Sequence, residues 1–256
     1  MVELLNACNK FALTLFEDAS VDAIVTDPPY GLSFMGKKWD YDVPSKEFWI
    51  EALRVLKPGG HLLSFGGTRT YHRMVCAIED AGFEIRDQVQ WIYGSGFPKS
   101  HDVSKGIDKA AGAEREVVGT MKAKLPTSNN KFATDAWSVE AGKMRDIPLT
   151  CPATPLAKQW QGFGTALKPA NEPIVLARKP LSEKTVAANV LKWGTGSLNI
   201  DGSRIGTETI STHGGGDKMS GMKGNGNSGV GEYRSHQGRW PVNVIFDESA
   251  AEMLDE

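Results

Sequence analysis

Residues 21–31, VDAIVTDPPYG, constrain this chain more than any other stretch. VDAIVT is a short apolar, β-branched run bounded by turn formers, the pattern of a buried strand. It stops at Asp27-Pro28-Pro29-Tyr30, where two prolines remove two backbone donors and fix φ. The sheet cannot continue through them, and the carbonyls of Asp27 and Pro28 are left free to accept hydrogen bonds. The result is a stiff turn at a strand end, displaying a carboxylate and an exposed aromatic face. Such a set suits a planar group bearing an NH₂: the ring stacks while the amine donates to carboxylate and carbonyl. Asp-Pro alone would read only as a turn. Four residues of these types at a strand end favour a site.

The flanking sequence alternates helix and strand signals. Residues 3–16 read as a helix. Ser45 is a fitting N-cap for a helix over about 46–56, whose Phe48, Trp49, Ala52, Leu53 and Leu56 share one face. Lys57-Pro58-Gly59-Gly60 stops it, and HLLSF (61–65) is the next strand. A helix over about 69–81 ends at Gly82, and FEIRDQVQWIY (83–93) is a third strand. Strand–helix–strand–helix–strand predicts an α/β fold with right-handed crossovers and a parallel sheet covered on both faces. Ligands of such sheets sit at the carboxyl ends of the strands, where Asp27 falls.

Beyond residue 100 the signal weakens. Residues 101–168 are polar, with no sustained period, and predict an insertion of short helices and loops. EPIVLAR (172–178) is a strand, and RWPVNVIFD (239–247) reads as another, followed by the acidic helix start ESAAEMLDE. Between them, GGGDKMSGMKGNGNSGVG (214–231) holds eight glycines in eighteen residues, too flexible for a packed element. From Leu156 to Trp240 eleven Lys+Arg face six Asp+Glu, a balance of +5 against a whole-chain charge of −2, so the remainder carries −7. A basic surface on the second half fits that asymmetry, although a solvated face with scattered lysines is its commoner cause.

A chain of 256 residues that is 40% hydrophobic can bury one large core or two small ones. No apolar run approaches the roughly 20 residues of a membrane span, and the N-terminus has no secretory pattern. Cys8, Cys76 and Cys151 have no metal-ligand spacing, so no metal site is expected; buried reduced thiols and a cytoplasmic location are.

Phe65-Gly66-Gly67-Thr68 lies between strand and helix, a weak phosphate-cradle signal and a good tight-turn signal. Arg69, His72 and Arg73 follow on the first helical turns, near the strand ends, and each alone reads more readily as a solvated helix face than as a ligand contact. In GLSFMGKKWDYD (31–42), Lys37, Lys38 and Trp39 can cover a bound ligand, and Trp39 reads equally as pinning the loop to the core. In WIYGSGFPKS, Trp91 reads as core and Lys99 as the candidate for substrate contact.

VDAIVTDPPYGL, LKPGGHLLSFGGTRTYHR, GFEIRDQVQWIYGSGFPKS and KPANEPIVLARKPL together cover most of residues 20–181. In order and spacing they resemble the bacterial and phage amino-group DNA methyltransferases in which the DPPY motif comes first. The resemblance implies a Rossmann-like, mostly parallel α/β fold dependent on S-adenosyl-L-methionine. It implies methyl transfer to the exocyclic amine of adenine in double-stranded DNA, after the base is flipped out of the stack. Asp27 and the Pro28 carbonyl would hold the amine, Pro29 would stiffen the turn, and Tyr30 would stack on the base, worth roughly 1–3 kcal/mol. Asp27, Phe65 and Gly66 would touch the cofactor; Lys37, Lys38, Trp39, Arg69, His72, Arg73 and Lys99 would touch DNA. An acid in the first position favours adenine over cytosine.

One part of the family pattern is absent. No strand ends in Phe-x-Gly-x-Gly, the turn that would hold the methionine part of the cofactor; Gly162-Phe163-Gly164-Thr165 and Trp193-Gly194-Thr195-Gly196 follow no apolar run. The expectation is therefore a fold incomplete at its C-terminus, with the strand beside 21–26 missing and a second polypeptide or a homodimer partner needed. Residues 1–181 would be the catalytic half. Residues 182–256 would be a loop-rich target-recognition region, with Arg204, Arg234 and Arg239 contacting phosphate or guanine. A non-catalytic DNA-binding subunit is the competing reading, and methylation of RNA or protein a third.

Overall fold

The computed structural model describes residues 2, 4–33, 36–96, 100–124, 144–213 and 233–255. Lys99 and the glycine-rich stretch 214–231 lie outside them. The chain divides into two compact units, one of Met1–Gly94 with Ala170–Glu256, the other of Ser95–Pro169.

The first unit opens with α1 (Asn9–Thr14), β1 (Val21–Thr26), α2 (Lys46–Val55), β2 (Leu56–Phe65), α3 (Tyr71–Asp80) and β3 (Glu84–Ile92). The second holds α4 (Val103–Ala110), β4 (Val117–Lys124), β5 (Met144–Thr150) and α5 (Pro155–Gln159). The first unit then resumes with β6 (Asn171–Arg178), α6 (Val186–Trp193), β7 (Ile205–His213), β8 (Tyr233–Arg239), β9 (Val244–Phe246) and α7 (Glu248–Asp255).

Five strands form one sheet in the order β1-β2-β6-β3-β9. β1 and β2 pair in parallel, as do β3 and β9, whereas β6 is antiparallel to both β2 and β3. The α/β class is as predicted, and β1, β2, β3 and β9 share one direction, but the sheet is mixed. The reason is where the chain re-enters. It leaves β3 at Ile92 for the second unit and returns beside the same end, with Tyr93 N–H donating to the Ala170 carbonyl at 2.9 Å and Asn171 opposite Ile92. A strand starting at that end can only run backwards.

The core joins Trp49 and Ala52 of α2, Met74 and Ile78 of α3, and Leu56, Leu62, Val175 and Ala177 of the sheet. Ser45 is at the N-cap of α2, but its side chain makes no capping bond. The predicted first helix is shorter than 3–16: α1 has six residues, and Leu4 and Leu5 before it are exposed. Short helices need a packed face to persist, and these leucines have none. Arg54 holds the end of α1, donating to the carbonyls of Leu13 (2.9 Å) and Phe16 (3.0 Å).

Lys57-Pro58-Gly59-Gly60 bulges within β2, since Leu56 pairs with Val21 and the next pair is Ala23 with His61. Gly59 is left-handed (φ +80°), and a Cβ there would sit 2.6 Å from Asn189 Nδ2. Buried Asn189 donates to the carbonyls of Pro58 and Thr195, both at 2.8 Å, and Thr195 Oγ1 also donates to Pro58. Trp193-Gly194-Thr195-Gly196 is therefore the C-cap of α6, with Gly194 at φ +75°, latched onto the bulge.

In the second unit, β4 and β5 form an antiparallel hairpin that the sequence did not predict. Val117, Val118, Met121, Ile147 and Leu149 on it are exposed, so no buried face imposed a period of two. Among the described residues of 182–256, β7 and β8 form a two-stranded ribbon of mostly polar residues. The strand predicted over 239–247 is confined to Val244–Phe246, because Arg239 ends β8 and Pro241 cannot donate to a ladder. All three cysteines are exposed rather than buried. Cys76 shows why: it sits two residues from both Met74 and Ile78, on the opposite side of α3.

Candidate functional site

The carboxyl end of β1 delivers Asp27 exposed and Pro28 buried, with Pro29 and Tyr30 half-buried. The loop after Tyr30 is held by Asp40, an acid only 3% exposed in the short 3₁₀ turn Lys38–Asp40. Its Oδ1 accepts from Gly31 N–H at 2.9 Å and its Oδ2 from Leu32 N–H at 3.2 Å, while its own carbonyl accepts from Ser33 N–H at 2.7 Å. Gly31 is left-handed (φ +66°), and a Cβ there would come within 3.0 Å of the Asp42 and Val43 backbone. Sequence reasoning missed Asp40, since one acid among several in a polar loop carries no signal of its burial.

Tyr30 is fixed on three sides. Its Cβ and Cδ2 would lie 3.2 Å from a Cβ on Gly67, so glycine at 67 lets the ring settle on the strand-to-helix turn. Its carbonyl accepts from Thr70 Oγ1. Its hydroxyl donates to Glu172 Oε2 on β6 at 3.2 Å. Burial, reinforced by the Asp27 and Glu172 carboxylates, pushes the Tyr30 phenol far above the ordinary tyrosine range, so it stays a donor. The exposed ring face expected from the sequence is in fact half covered.

Phe65-Gly66-Gly67-Thr68 is a tight strand-to-helix turn. Gly66 N–H donates to the Pro173 carbonyl at 3.0 Å, and a Cβ on Gly66 would lie 2.9 Å from Met74 Cε. That glycine is taken up by internal packing.

Glu172 was not singled out by sequence reasoning, although it stands in KPANEPIVLARKPL. Trp91 lies directly opposite it in the β3–β6 register and tilts against Phe65 at 6.2 Å between ring centroids. Trp91 is 39% exposed, so the expectation of a core tryptophan fails: it lies one residue before the end of its strand, across from Glu172. Burial, then the Glu172 charge, raises the Tyr93 phenol as well. Tyr30, Trp91 and Tyr93 thus gather around one glutamate.

The remaining candidates are less constrained. Lys37, Lys38 and Trp39 are exposed; Trp39, at 62%, does not pin its loop, a task that falls to Asp40. Arg69, His72 and Arg73 are exposed around the start of α3. Arg204 pairs with Asp201 at 2.8 Å and stacks 5.4 Å over Trp240, while Arg239 is exposed opposite Ile205 at the base of the β7–β8 ribbon. Arg234 lies on β8 by its backbone; its side chain and all of Lys99 fall outside the described residues. No described helix is long and apolar enough to cross a membrane.

β1 pairs with β2 alone among the described strands, and Val25 on it is 70% exposed. Alongside lies an apolar cleft of about 190 Å³, lined by Leu13, Ile24, Val25, Thr26, Phe48 and Trp49 among others.

Over 108 residues the chain is 33% identical to the type II methyltransferase M.HpaI of Haemophilus parainfluenzae, a match that covers 38% of this chain and 33% of that protein. Among solved structures, the M1.HpyAVI–SAM complex matches at 15% identity and a TM-score of 0.31, over 69% of this chain and 49% of that one. TTHA0409 of Thermus thermophilus, complexed with S-adenosyl-L-methionine, matches at 18% and 0.33, over 69% and 54%. The chain therefore spans about a third of M.HpaI and about half of these solved chains. The N6_N4 methylase family model, described as DNA methylase, matches residues 21–192 without leaving out either strand that frames the Asp27 turn. With two thirds of its length in that match, the chain belongs to the N6/N4 DNA methylase family.

Proposed function

We propose that this chain supplies the base-holding half of an enzyme that methylates the exocyclic amine of adenine in double-stranded DNA, with S-adenosyl-L-methionine as donor. The observation that carries the reading is the Asp27–Tyr30 turn, whose carboxylate faces solvent at a strand end while its ring is clamped in place. The target base must leave the stack for its amine to reach Asp27. Asp27 and the Pro28 carbonyl accept from the amine and keep its lone pair directed outward; Tyr30 stacks on the base. Bound beside them, the donor would supply an electrophilic methyl group and leave as the thioether, and the proton lost from the methylated amine would pass to solvent at the exposed Asp27 carboxylate. Catalysis by the chain's own groups is positioning and electrostatics, with no covalent intermediate.

The residues present fit the donor in part. Asp27 and the Phe65 side chain border the strand ends, and Gly66 contributes shape rather than a free amide. The cleft beside β1, at about 190 Å³, is below the roughly 300–1,000 Å³ of complete ligand sites. Together with the open edge of β1, this supports a second polypeptide or second copy that completes the donor site. Lys37, Lys38, Arg69, His72, Arg73 and Lys99 would neutralise phosphates near residues 1–181, and Arg204, Arg234 and Arg239 would serve the recognition region 182–256. An acid at position 27 and the family resemblance support adenine over cytosine.

The test is transfer of tritiated methyl from S-adenosyl-L-methionine to plasmid DNA, with the labelled nucleoside then identified by chromatography. Label on adenine, lost in Asp27→Ala, supports the reading. Label on cytosine corrects the base, and equal incorporation by Asp27→Ala removes the turn from the chemistry.

A further inference from the structure

We propose that Glu172 is a positioning residue for methyl transfer: it holds the Tyr30 ring at stacking height through the tyrosine hydroxyl and acts on the reaction only through that ring. The inference rests on the reading of the Asp27–Tyr30 turn given above and adds to it a residue from a distant part of the chain.

The geometry supports a clamp with three jaws. Gly67 admits the ring from below, at 3.2 Å to where its Cβ would be. Thr70 holds the Tyr30 carbonyl. These two fix the backbone and the near end of the ring, leaving rotation about the Cα–Cβ and Cβ–Cγ bonds. Glu172 removes that freedom by accepting from the hydroxyl at 3.2 Å, the far end of the lever. The glutamate is itself fixed. Pro173 next to it accepts from Gly66 N–H at 3.0 Å, and the β3–β6 ladder sets Trp91 across from it, so its carboxylate is half-buried on a central strand. A flexible surface acid would not orient a ring; one anchored by the sheet does.

The arrangement also separates two acids on one hydroxyl. Asp27 is exposed and acts on the Tyr30 hydroxyl from the side of the turn, whereas Glu172 meets it from the sheet. The hydroxyl has one proton to give and Asp27 also lies within its hydrogen-bonding reach, so donation to Glu172 is what leaves the Asp27 oxygens to an incoming amine. Loss of Glu172 sends the hydroxyl to Asp27 instead, blocking the acceptor that the reaction needs. Glu172 therefore works twice through the same tyrosine, on ring orientation and on the availability of Asp27.

The experiment is a double-mutant cycle on the full chain, with two readouts. The variants are Glu172→Gln, Glu172→Ala, Tyr30→Phe and Tyr30→Phe/Glu172→Gln. Removal of a hydrogen bond to a charged group predicts a fall of about tenfold in kcat for Glu172→Ala on plasmid DNA. Glu172→Gln, which keeps an acceptor, falls less, and KM for S-adenosyl-L-methionine is unchanged in both. In the Tyr30→Phe background Glu172→Gln adds less than about twofold, the signature of two groups acting as one unit. The second readout needs no activity: in protein labelled with 3-fluorotyrosine, the ¹⁹F resonance missing from Tyr30→Phe shifts in Glu172→Gln and not in the control Glu84→Gln. Independent, multiplicative kinetic effects overturn the proposal, as does an unmoved resonance. Absence of methyl transfer by the unsubstituted chain is the outcome expected if the donor site needs its second polypeptide, and the resonance then decides alone: shifted in Glu172→Gln it supports the clamp, unmoved it overturns it.

Discussion

The two flanks of β1 are built on opposite terms. On the side of β2 and the following turn, nearly every group is answered: Asp40 takes the Gly31 and Leu32 amides, Thr70 the Tyr30 carbonyl, and Glu172 the Tyr30 hydroxyl. On the other side β1 has no neighbouring strand among the described residues, Val25 is 70% exposed, and Phe11 and Leu15 of the neighbouring segment are 62% and 61% exposed. Asp27 itself is exposed at the end of this braced frame. An open apolar edge is a pairing template and a hazard when nothing covers it. The difference teaches that the Asp27–Tyr30 turn is braced from within this chain, whereas the opposite flank of β1 is left open among the described residues.

The largest expected effect falls on the exposed acid. Asp27→Ala should lower methyl transfer by about 10²–10³-fold, the loss typical of a group aimed at developing charge, with an unfolding midpoint close to that of the unsubstituted chain. A large drop in stability instead would mean that Asp27 is a structural turn residue, and the contrast with Asp40 would collapse. Trp49→Ala probes the core under both flanks. Trp49 is fully buried and donates from Nε1 to the Pro44 carbonyl at 3.2 Å, so urea denaturation should show a loss of about 3–5 kcal/mol.

Asp40→Ala sharpens the comparison between holding and acting. Unpairing two amides beneath the turn should cost about 1–3 kcal/mol of stability, and transfer should fall through disorder of the turn rather than through loss of a reacting group. Denaturation and kinetics measured on the same preparation separate these effects.

The second unit offers a comparison by pH. Burial pushes the Asp108 carboxyl up, but bonds from Ala153 N–H, Thr154 and the Arg115 guanidinium outweigh it and hold the group at about 2. A folded value below the unfolded one, 3.8, means that the stabilisation is present above pH of about 4 and is lost as pH falls toward 2. Circular dichroism should show the second unit loosening in that window, and Asp108→Asn should be weaker at neutral pH with the acid transition flattened.

The smallest effect is expected at the open edge. Val25→Lys should change monomer stability by no more than about 0.5 kcal/mol, as for an exposed site, yet should reduce self-association or capture of a completing chain in sedimentation. A large loss of stability would show that the edge is already covered.

Much of this was legible in the residues. Two prolines after a β-branched run dictate a stiff turn whatever surrounds it, because their constraint is covalent. The helix over α2 and the strands β1, β2, β3 and β6 were readable because a buried face imposes a period on the sequence. Cys76 and Trp91 were misjudged because residue type says little about which side of an element meets the core. The hairpin β4–β5 and the ribbon β7–β8 were missed because two-stranded ribbons with exposed side chains impose no period.

The sequence by itself determined the α/β class, the turn and the acid it displays, since these rest on local chain geometry and on apolar spacing. The tertiary structure alone decided that β6 enters backwards between β2 and β3, and that Glu172 thereby arrives at the hydroxyl of Tyr30, 142 residues away along the chain. It also decided that Asp40 is buried and Asp27 is not. Those facts depend on where distant segments return, and no short-range pattern encodes a meeting of that kind.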